Sequence, residues 1–153
     1  MNFTDIEYNF CKAQMEKWME HPLCFQFLDP VDPSIPDYYT IITQPMDLST
    51  MKTKLDDHVY KNSQEWLNDI NLIWKNALTY NQNGSPLYVI AKFLKEKCEK
   101  KYKTIPKTEA DLNELKLRKA HSKLQKVLTF PYPELSLTPR VSKEEIEKIF
   151  TVN

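Results

Sequence analysis

Apolar side chains recur at helical spacing in four stretches of the chain, which begin near residues 4, 47, 62 and 85. Within each stretch they fall at intervals of three and four residues, which places them on one face of a helix. Four such stretches predict an all-α bundle in which each helix buries its apolar face against the others. The apolar positions are Tyr8, Cys11, Met15 and Trp18, then Leu48, Met51 and Leu55, then Trp66, Ile70, Ile73, Ala77 and Tyr80, and finally Leu87, Ala91, Leu94, Cys98 and Tyr102.

Residues suited to helix capping mark where these helices begin. Asp47 precedes the second helix, and its side chain can accept a hydrogen bond from a free amide of the first turn. Asn62 or Ser63 opens the third helix, with Glu65 three residues after Asn62 in the spacing of a capping box. Ser85 precedes the fourth helix, with Pro86 at the first helical position. The first helix is expected from about residue 4 to residue 20, because a proline at position 22 ends it.

The stretch between the first two helices predicts a long, apolar loop. Residues 22–45 contain five prolines together with Phe25, Phe27, Tyr38 and Tyr39. Long loops in compact domains usually serve a function or are disordered, and aromatic side chains argue against disorder. This loop is therefore a candidate functional segment.

Residues 81–85, which are rich in Asn, Gln and Gly, predict a turn between the third and fourth helices.

A helical pattern resumes after Pro106. Thr108 with Asp111 predicts the start of a fifth helix, and Ser142 with Glu145 predicts the start of a last short one. We expect a bundle domain over residues 1–105 and a helical extension over residues 106–153. The extension is too small to hold a core of its own, so it should pack on the bundle or meet a partner. Its apolar positions are Leu112, Leu115, Ala120, Leu124 and Leu128, then Ile146, Ile149 and Phe150.

Composition narrows the classes of function. The single glycine, Gly84, argues against glycine-rich phosphate loops and against folds with many β-hairpins. Lys and Arg number 21, as do Asp and Glu, so we expect no direct binding of nucleic acid. No apolar run approaches the ~20 residues of a membrane span, so no membrane association is expected. We interpret the widely spaced Cys11, Cys24 and Cys98 as reduced thiols of an intracellular protein.

No catalytic or metal-binding pattern accompanies the helices. His21, His58 and His121 are far apart and lack the spacing of metal ligands, and no serine lies in a GxSxG motif. The carboxylates fall on the predicted polar faces of the helices. We therefore expect no enzyme activity, no metal and no organic cofactor.

An ordered series of residues around the long loop resembles the bromodomain family. The resemblance covers about residues 4–103, two thirds of the chain. It implies a left-handed bundle of four helices, in which acetyl-lysine enters between the first loop and the turn after the third helix. The series consists of Phe25-Gln26-Phe27, Pro30-Val31-Asp32-Pro33, Ile35-Pro36-Asp37-Tyr38-Tyr39, Pro45-Met46-Asp47-Leu48-Ser49-Thr50 and, about thirty residues later, Tyr80-Asn81.

The resemblance also implies a role for each residue of the site. Asn81 matches the asparagine whose amide donates to the acetyl oxygen, and Tyr38 matches the tyrosine that reaches the same oxygen through a water. Leu87 matches the gatekeeper at the rim. The residues that match the walls of the slot are Val31, Ile35 and Tyr80, and those that match the ends of the family's Trp-Pro-Phe shelf are Phe25 and Phe27.

Two departures from the family pattern concern the shape of the slot. The shelf has Phe-Gln-Phe in place of Trp-Pro-Phe, and the segment between Val31 and Pro36 is short. We expect a slot that is wider or shallower at the shelf than is usual in the family.

Two functions remain open. The first is a monomeric nuclear reader of acetylated lysine in histone tails or other acetylated proteins. The second is an interaction scaffold with the bromodomain fold and a divergent pocket, which would contact its partners through residues 108–150. Taken alone, Asn81 would more often be a helix cap than a ligand-binding residue. The surrounding series favours the binding role.

Overall fold

The computed structural model describes residues 3–103 and 105–129, and within these residues it contains helices and no β-strand. Four of the helices, α1, α3, α4 and α5, pack as a bundle, which confirms the predicted fold class. A one-turn helix, α2, lies in the first loop, and a long helix, α6, follows the bundle. The bounds are α1 Asp5–Met19, α2 Tyr38–Ile41, α3 Leu48–Asp56, α4 Ser63–Tyr80, α5 Pro86–Lys101 and α6 Glu109–Thr129.

The predicted capping residues begin their helices. The Asp47 carboxylate accepts a hydrogen bond from the Thr50 amide at 2.7 Å, and Ser85 caps α5 with Pro86 at its first position. Asn62 accepts from the Glu65 amide at 3.0 Å and caps α4. The capping box predicted at this helix is wrong in one half, because the Glu65 carboxylate accepts from the amide of Lys61 and not of Asn62.

The first inter-helix segment is more structured than the loop predicted for it. Residues Pro22–Phe27 form a 3-10 helix, and Tyr38–Ile41 form α2. Proline is compatible with the first turn of a helix, because its fixed φ suits that position and its missing amide hydrogen has no partner to lose there. The 3-10 helix turns Cys24 and Phe27 into the core. Pro22 therefore begins a short helical element here and does not merely follow the end of α1.

The core is built around three tryptophans that come from two helices. Trp66 and Trp74 of α4 are fully buried, and Trp18 of α1 lies 5.6 Å from Trp74 between ring centroids. The Trp18 indole Nε1 donates a hydrogen bond of 2.7 Å to the hydroxyl of Tyr102, which ends α5. This bond satisfies a polar group that the surrounding aromatic rings would otherwise isolate from water. It also links the first and last helices of the bundle.

All three cysteines lie in this core. Cys11, Cys24 and Cys98 are completely buried, and each of these described residues is a free thiol. Burial raises the pKa of each thiol to about 12, which suppresses the reactive thiolate form at neutral pH. These side chains therefore act as small hydrophobic residues, as the positions of Cys11 and Cys98 on the apolar faces predicted.

A buried carboxylate joins the starts of α1 and α4. Glu7 is 4% exposed and accepts hydrogen bonds from the Ser63 hydroxyl at 2.6 Å and from the Thr4 amide at 3.1 Å. Burial by itself raises the pKa of Glu7, but the hydrogen bonds from Ser63 and Thr4 outweigh it, so the net pKa lies below the ordinary value. The ionised form is thus stabilised in the folded state.

The extension begins as predicted. Thr108 and Asp111 cap α6, since the Asp111 amide donates to the Thr108 hydroxyl and the Asp111 carboxylate accepts from the Thr108 amide.

Contacts divide the chain into residues 1–115 and 116–153. Pro106 is fully buried, within the first of these units. The domain boundary predicted at 105 stays a prediction. The last helix predicted from Ser142 lies outside the described residues.

No described residue of α6 is buried. Its exposed apolar side chains include Leu117, which is 69% exposed, and Leu124, Val127 and Leu128. A search of the helices among residues 3–103 and 105–129 finds none that is both long enough and apolar enough to cross a membrane.

Replacing Glu7 by Gln should weaken the bundle and change its response to acid. A group with a lowered pKa stabilises the folded state above its unfolded pKa, and this contribution is lost as the pH falls through the folded pKa. We expect the Glu7→Gln variant to lose about 1–2 kcal/mol of unfolding free energy at pH 7, as for a hydrogen bond to a charged group. Between pH 5 and pH 3 it should lose less stability than the wild type. Thermal melts at several pH values measure both effects.

The matched control is Glu16→Gln, because Glu16 is exposed and lies on the same helix. Its melting temperature at pH 7 should stay close to that of the wild type, since exposed substitutions usually change stability by less than about 0.5 kcal/mol. Equal effects of the two variants would show that the buried bonds of Glu7 contribute no specific stabilisation.

Candidate functional site

The first loop and the end of α4 meet at one end of the bundle. The Tyr80 hydroxyl, in the last turn of α4, donates a hydrogen bond of 2.9 Å to the backbone carbonyl of Pro36. The rings of Tyr38 and Tyr80 lie 4.9 Å apart between centroids in an edge-to-face arrangement. The tip of the loop is therefore held directly against the helix end that carries Asn81.

Two further hydrogen bonds fix the ends of the loop. The buried side chain of Asn76 in α4 donates from Nδ2 to the Gln44 carbonyl at 2.7 Å. The Ser49 amide at the start of α3 donates to the Leu28 carbonyl at 2.8 Å. Each bond satisfies a backbone carbonyl that has no partner in regular secondary structure. The loop is thus anchored near its beginning, at its tip and at its end.

The loop also holds its own shape. The Tyr39 hydroxyl donates to the Val31 carbonyl, and the Ser34 amide donates to the Asp32 carboxylate at 2.7 Å. Asp37 has a φ of 57°, in the left-handed region that side chains other than those of Gly, Asn and Asp rarely adopt. This backbone reversal directly precedes α2 and places Tyr38 on the inner side of the loop, where it is 6% exposed.

Asn81 ends α4 and keeps part of its hydrogen-bonding capacity unused. Its side-chain Nδ2 donates to the Ala77 carbonyl at 2.8 Å, and its backbone amide donates to the same carbonyl at 3.1 Å. An amide NH₂ carries two hydrogens and its oxygen is an acceptor. One N–H of the half-buried side chain is consumed by the cap, and no described residue accepts the other. The amide can therefore cap the helix and donate to a ligand at the same time.

The Tyr38 hydroxyl also has unused hydrogen-bonding capacity. Among residues 3–103 and 105–129, no group forms a hydrogen bond with it, although the side chain is buried. Burial raises the pKa of Tyr38, with smaller contributions from Tyr39, Asp47 and Tyr80, so the hydroxyl stays protonated at neutral pH. It is therefore a neutral donor and acceptor on the wall of the loop that faces α4.

The remaining predicted site residues differ in their exposure. Val31 and Leu87 are half-buried, and Leu87 packs against the core, while Ile35 is 39% exposed. Phe25 is 72% exposed, whereas Phe27 is buried and packs edge-to-face on Trp74 at 5.2 Å. The two phenylalanines of the predicted shelf thus lie in different environments, one in solvent and one in the core.

The segments that form this end of the bundle carry no positive charge. Residues 22–51 and 76–91 contain no Lys or Arg, although the chain has 21 of them. They contain four aspartates, of which Asp29, Asp32 and Asp37 are exposed and Asp47 is buried as the cap of α3. Hydrogen bonds from Ser34 lower the pKa of Asp32. The rim around the Tyr38 and Asn81 side chains is therefore acidic.

Sequence reasoning missed the role of Asn76. A signal existed, because a polar amide lies between Ile73 and Ala77 on the stripe that was predicted to face the core. A buried amide on an apolar face needs a partner, and backbone carbonyls of the adjacent loop are the nearest source.

In the described part of the chain no group of three or more His, Cys, Asp or Glu side chains could hold a metal ion.

Removing the Tyr80 hydroxyl should loosen the loop. The Tyr80→Phe variant keeps the ring contact with Tyr38 but leaves the Pro36 carbonyl without its donor. We expect a loss of about 0.5–1.5 kcal/mol in unfolding free energy and faster hydrogen exchange of the amides in residues 31–42. The measurement is hydrogen exchange followed by mass spectrometry.

Tyr88→Phe is the matched control, because no described group forms a hydrogen bond with the Tyr88 hydroxyl. Its loop should exchange at the wild-type rate. If Tyr80→Phe also left the exchange of residues 31–42 unchanged, the bond to Pro36 would not be what holds the tip of the loop.

Comparison with known proteins gives consistent matches over the bundle. The family model described as Bromodomain matches residues 11–93. Transcription factor GTE11 of Arabidopsis thaliana is 37% identical over 107 residues, which are 68% of this chain and 17% of that protein. The SWR1 complex bromodomain subunit bdf1 of Schizosaccharomyces pombe is 34% identical over 110 residues, which are 68% of this chain and 19% of that protein.

The similarity to a third relative extends further along the chain. Transcription factor GTE1 of Arabidopsis thaliana is 34% identical over 132 residues, which are 84% of this chain and 34% of that protein. The chain therefore spans between about a sixth and a third of the length of these three relatives.

Proposed function

Because the chain belongs to the bromodomain family, a family of acetyl-lysine reader modules and not an enzyme class, we propose that it binds acetylated lysine in histone tails. The observation that carries the proposal is the arrangement of three side chains at one end of the bundle. Asn81 has an amide hydrogen to donate, Tyr38 has a hydroxyl without a described partner, and Tyr80 contacts Tyr38 and holds the loop that bears it.

In this proposal the acetyl oxygen is the group that the site recognises. The free N–H of Asn81 donates to it directly, and Tyr38 reaches it through a water. Val31, Ile35, Tyr80 and Leu87 contact the aliphatic stem, with Phe25 and Phe27 at the shelf. Because Phe27 packs on Trp74 in the core, Phe25 is the shelf residue that is free to contact a ligand at the surface.

Acetylation decides whether a lysine side chain can enter. An ammonium group that leaves water without a partner loses several kcal/mol, so an apolar slot rejects unmodified lysine. The acetylated side chain is neutral and needs only its amide groups satisfied. Burial of about five carbons contributes roughly 4 kcal/mol, and the hydrogen bond about 1 kcal/mol more. Association costs offset much of this, so we expect dissociation constants between micromolar and millimolar.

The acidic rim supports a basic peptide as the ligand. Histone tails are rich in Lys and Arg, and the rim formed by Asp29, Asp32 and Asp37 is complementary to them in charge. The rim attracts the flanking positive charges while the slot accepts the one residue whose charge has been removed. Selectivity for the modification and attraction to the tail therefore come from different groups.

Two of the relatives are named as a transcription factor and as the bromodomain subunit of the SWR1 complex. We extend the proposal to a nuclear protein that acts on chromatin as a monomer through its peptide site. No enzymatic step and no cofactor are needed for this activity, since recognition uses only hydrogen bonds and apolar contacts.

Substitution of Asn81 by Ala tests the recognition step. It removes the donor to the acetyl oxygen, so binding of an acetylated histone peptide should weaken at least about tenfold, the equivalent of 1.4 kcal/mol. The substitution also removes the cap bond to Ala77, so the melting temperature should fall by a few degrees. Isothermal titration calorimetry and thermal melts measure the two effects separately.

The control for this variant is Asn83→Ala, because Asn83 is exposed in the same turn. It should bind the acetylated peptide as the wild type does. The wild type should also show no measurable binding of the matched peptide without the acetyl group. Equal binding of plain and acetylated peptides would contradict the proposal.

The acidic rim makes a separate prediction about the flanking residues. An acetyl-lysine peptide flanked by Lys and Arg should bind about tenfold tighter than one with neutral flanks at low salt, and the difference should shrink at 0.5 M salt. The Asp32→Asn/Asp37→Asn variant should lose the preference while still binding the neutral peptide. An identical preference in wild type and variant would show that Asp32 and Asp37 do not attract the flanking residues.

The exposed apolar side chains of α6 favour a second candidate function. Leu117, Leu124 and Val127 project from a helix in which no described residue is buried, which suits contact with another protein. The chain would then be an interaction scaffold that contacts partners through residues 108–150, of which residues 130–150 lie outside the described part. Absence of acetyl-dependent binding in the calorimetric test would favour this candidate over the reader.

A further inference from the structure

The C-terminal half of α5 and the residues that follow it carry a local excess of positive charge. Residues 92–107 contain seven lysines and two glutamates, while the segments around the peptide site contain no lysine at all. The positive and negative charges of the whole chain are equal in number. The expectation of no nucleic-acid binding was based on that total, which does not show how the charges are distributed along the chain. The molecule has an acidic end and a basic helix face.

The lysines on this face are available for an anionic partner. Lys92, Lys100 and Lys103 are exposed, and none of them has an ion-pair partner among the described residues. Of the two glutamates, Glu99 lies 3.8 Å from Lys95 across one helical turn, and Glu96 is exposed beside the lysines. Seven lysines against these two glutamates leave the segment with a net positive charge.

The positive charge of this region affects the groups next to it, of which His21 is one. The Lys97 ammonium lies 2.8 Å from Nε2 of His21 and 5.9 Å from the Trp18 ring centroid. Burial lowers the pKa of His21, and the charges of Lys97 and Lys101 lower it further, so the imidazole is neutral at pH 7. The neutral ring adds no negative charge that would offset the Lys97 ammonium at the surface.

We propose that this basic face, defined by Lys92, Lys97 and Lys100 of α5 and by Lys103 just after the helix, binds the phosphate backbone of duplex DNA. Lys92 and Lys100 are eight residues apart, which is about 12 Å along the helix axis at 1.5 Å per residue. Phosphates follow at about 3.4 Å along the axis of each strand, so a face of this length spans several of them. The contact is independent of sequence and separate from the peptide site.

The exposed Phe93 does not make this face a platform for unpaired bases. The side chain is 51% exposed and borders a groove of about 420 Å³ that Lys97 and Lys100 also line. The Lys97 ammonium lies 6.0 Å from the Phe93 ring centroid, over one face of the ring. The charge pattern therefore favours backbone contacts to a duplex over stacking with a single strand.

The test is fluorescence anisotropy with a labelled duplex of mixed sequence, using the full chain over a range of salt concentrations. We expect dissociation constants between about 1 and 100 µM at physiological salt or below, as for sequence-independent contacts. Three phosphate contacts predict a slope near −2.7 when log K is plotted against log salt. The Lys92→Gln/Lys100→Gln/Lys103→Gln variant should bind at least about tenfold more weakly, with a slope reduced by two to three.

The matched control removes the same charge from other faces, through Lys12→Gln/Lys61→Gln/Lys75→Gln, all at exposed positions. It should bind the duplex within about twofold of the wild type. An equal loss in both triple variants would overturn the proposal, because it would show attraction to the total charge only. Thermal melts show that each variant is folded.

Two further ligands separate the proposal from its alternatives. A single strand of the same length that bound tighter than the duplex, with the difference lost in Phe93→Ala, would overturn it in favour of base stacking. A polyglutamate peptide that competed as well as duplex DNA would overturn it in favour of an acidic protein partner. Because DNA binding needs neither Asn81 nor the acetyl group, Asn81→Ala should bind the duplex normally, and a failed reader function would leave this result intact.

Discussion

The candidate site depends on how a long irregular segment is held against a rigid bundle. Backbone carbonyls in such a segment lack the partners that regular secondary structure supplies, and each needs a donor if water is excluded. Here Asn76 supplies the donor to Gln44, Tyr80 supplies the donor to Pro36, and the α3 amide of Ser49 supplies the donor to Leu28. Because two of the donors lie on α4, the helix that ends in Asn81, the loop and the Asn81 side-chain amide share one support.

The helices and their boundaries could be predicted from the sequence because they depend on local chemistry. The period of the apolar residues selects the buried face, and Asp47, Asn62 and Ser85 each satisfy amides within three residues of themselves. Interactions of this range can be recognised from a short window of sequence. The pairing of Tyr38 with Tyr80, in contrast, was available only through the resemblance to a family, because the two residues are far apart in the chain.

Features that depend on distant partners could not be predicted. The reciprocal half of the capping box at Asn62 was wrong because Glu65 can reach the amide of Lys61 as easily, and spacing alone does not choose between adjacent amides. The 3-10 helix after Pro22 forms because Cys24 and Phe27 reach a core made by residues of other helices. The separation of charge between the two regions likewise follows from folding, since residues 22–51 and 76–91 are brought together only in the bundle.

The two interpretations of Asn81 that the sequence left open are compatible in the structure. The choice between helix cap and ligand donor assumed that one side chain serves one purpose. The primary amide carries two hydrogens that point in different directions, and the Ala77 carbonyl takes one of them. That bond fixes the orientation of the group, so little side-chain entropy would be lost if a ligand accepted a hydrogen bond from the second N–H. A hydroxyl in the same place could donate only once, and a carboxylate could not donate at all, which is a physical reason for an asparagine at this helix end.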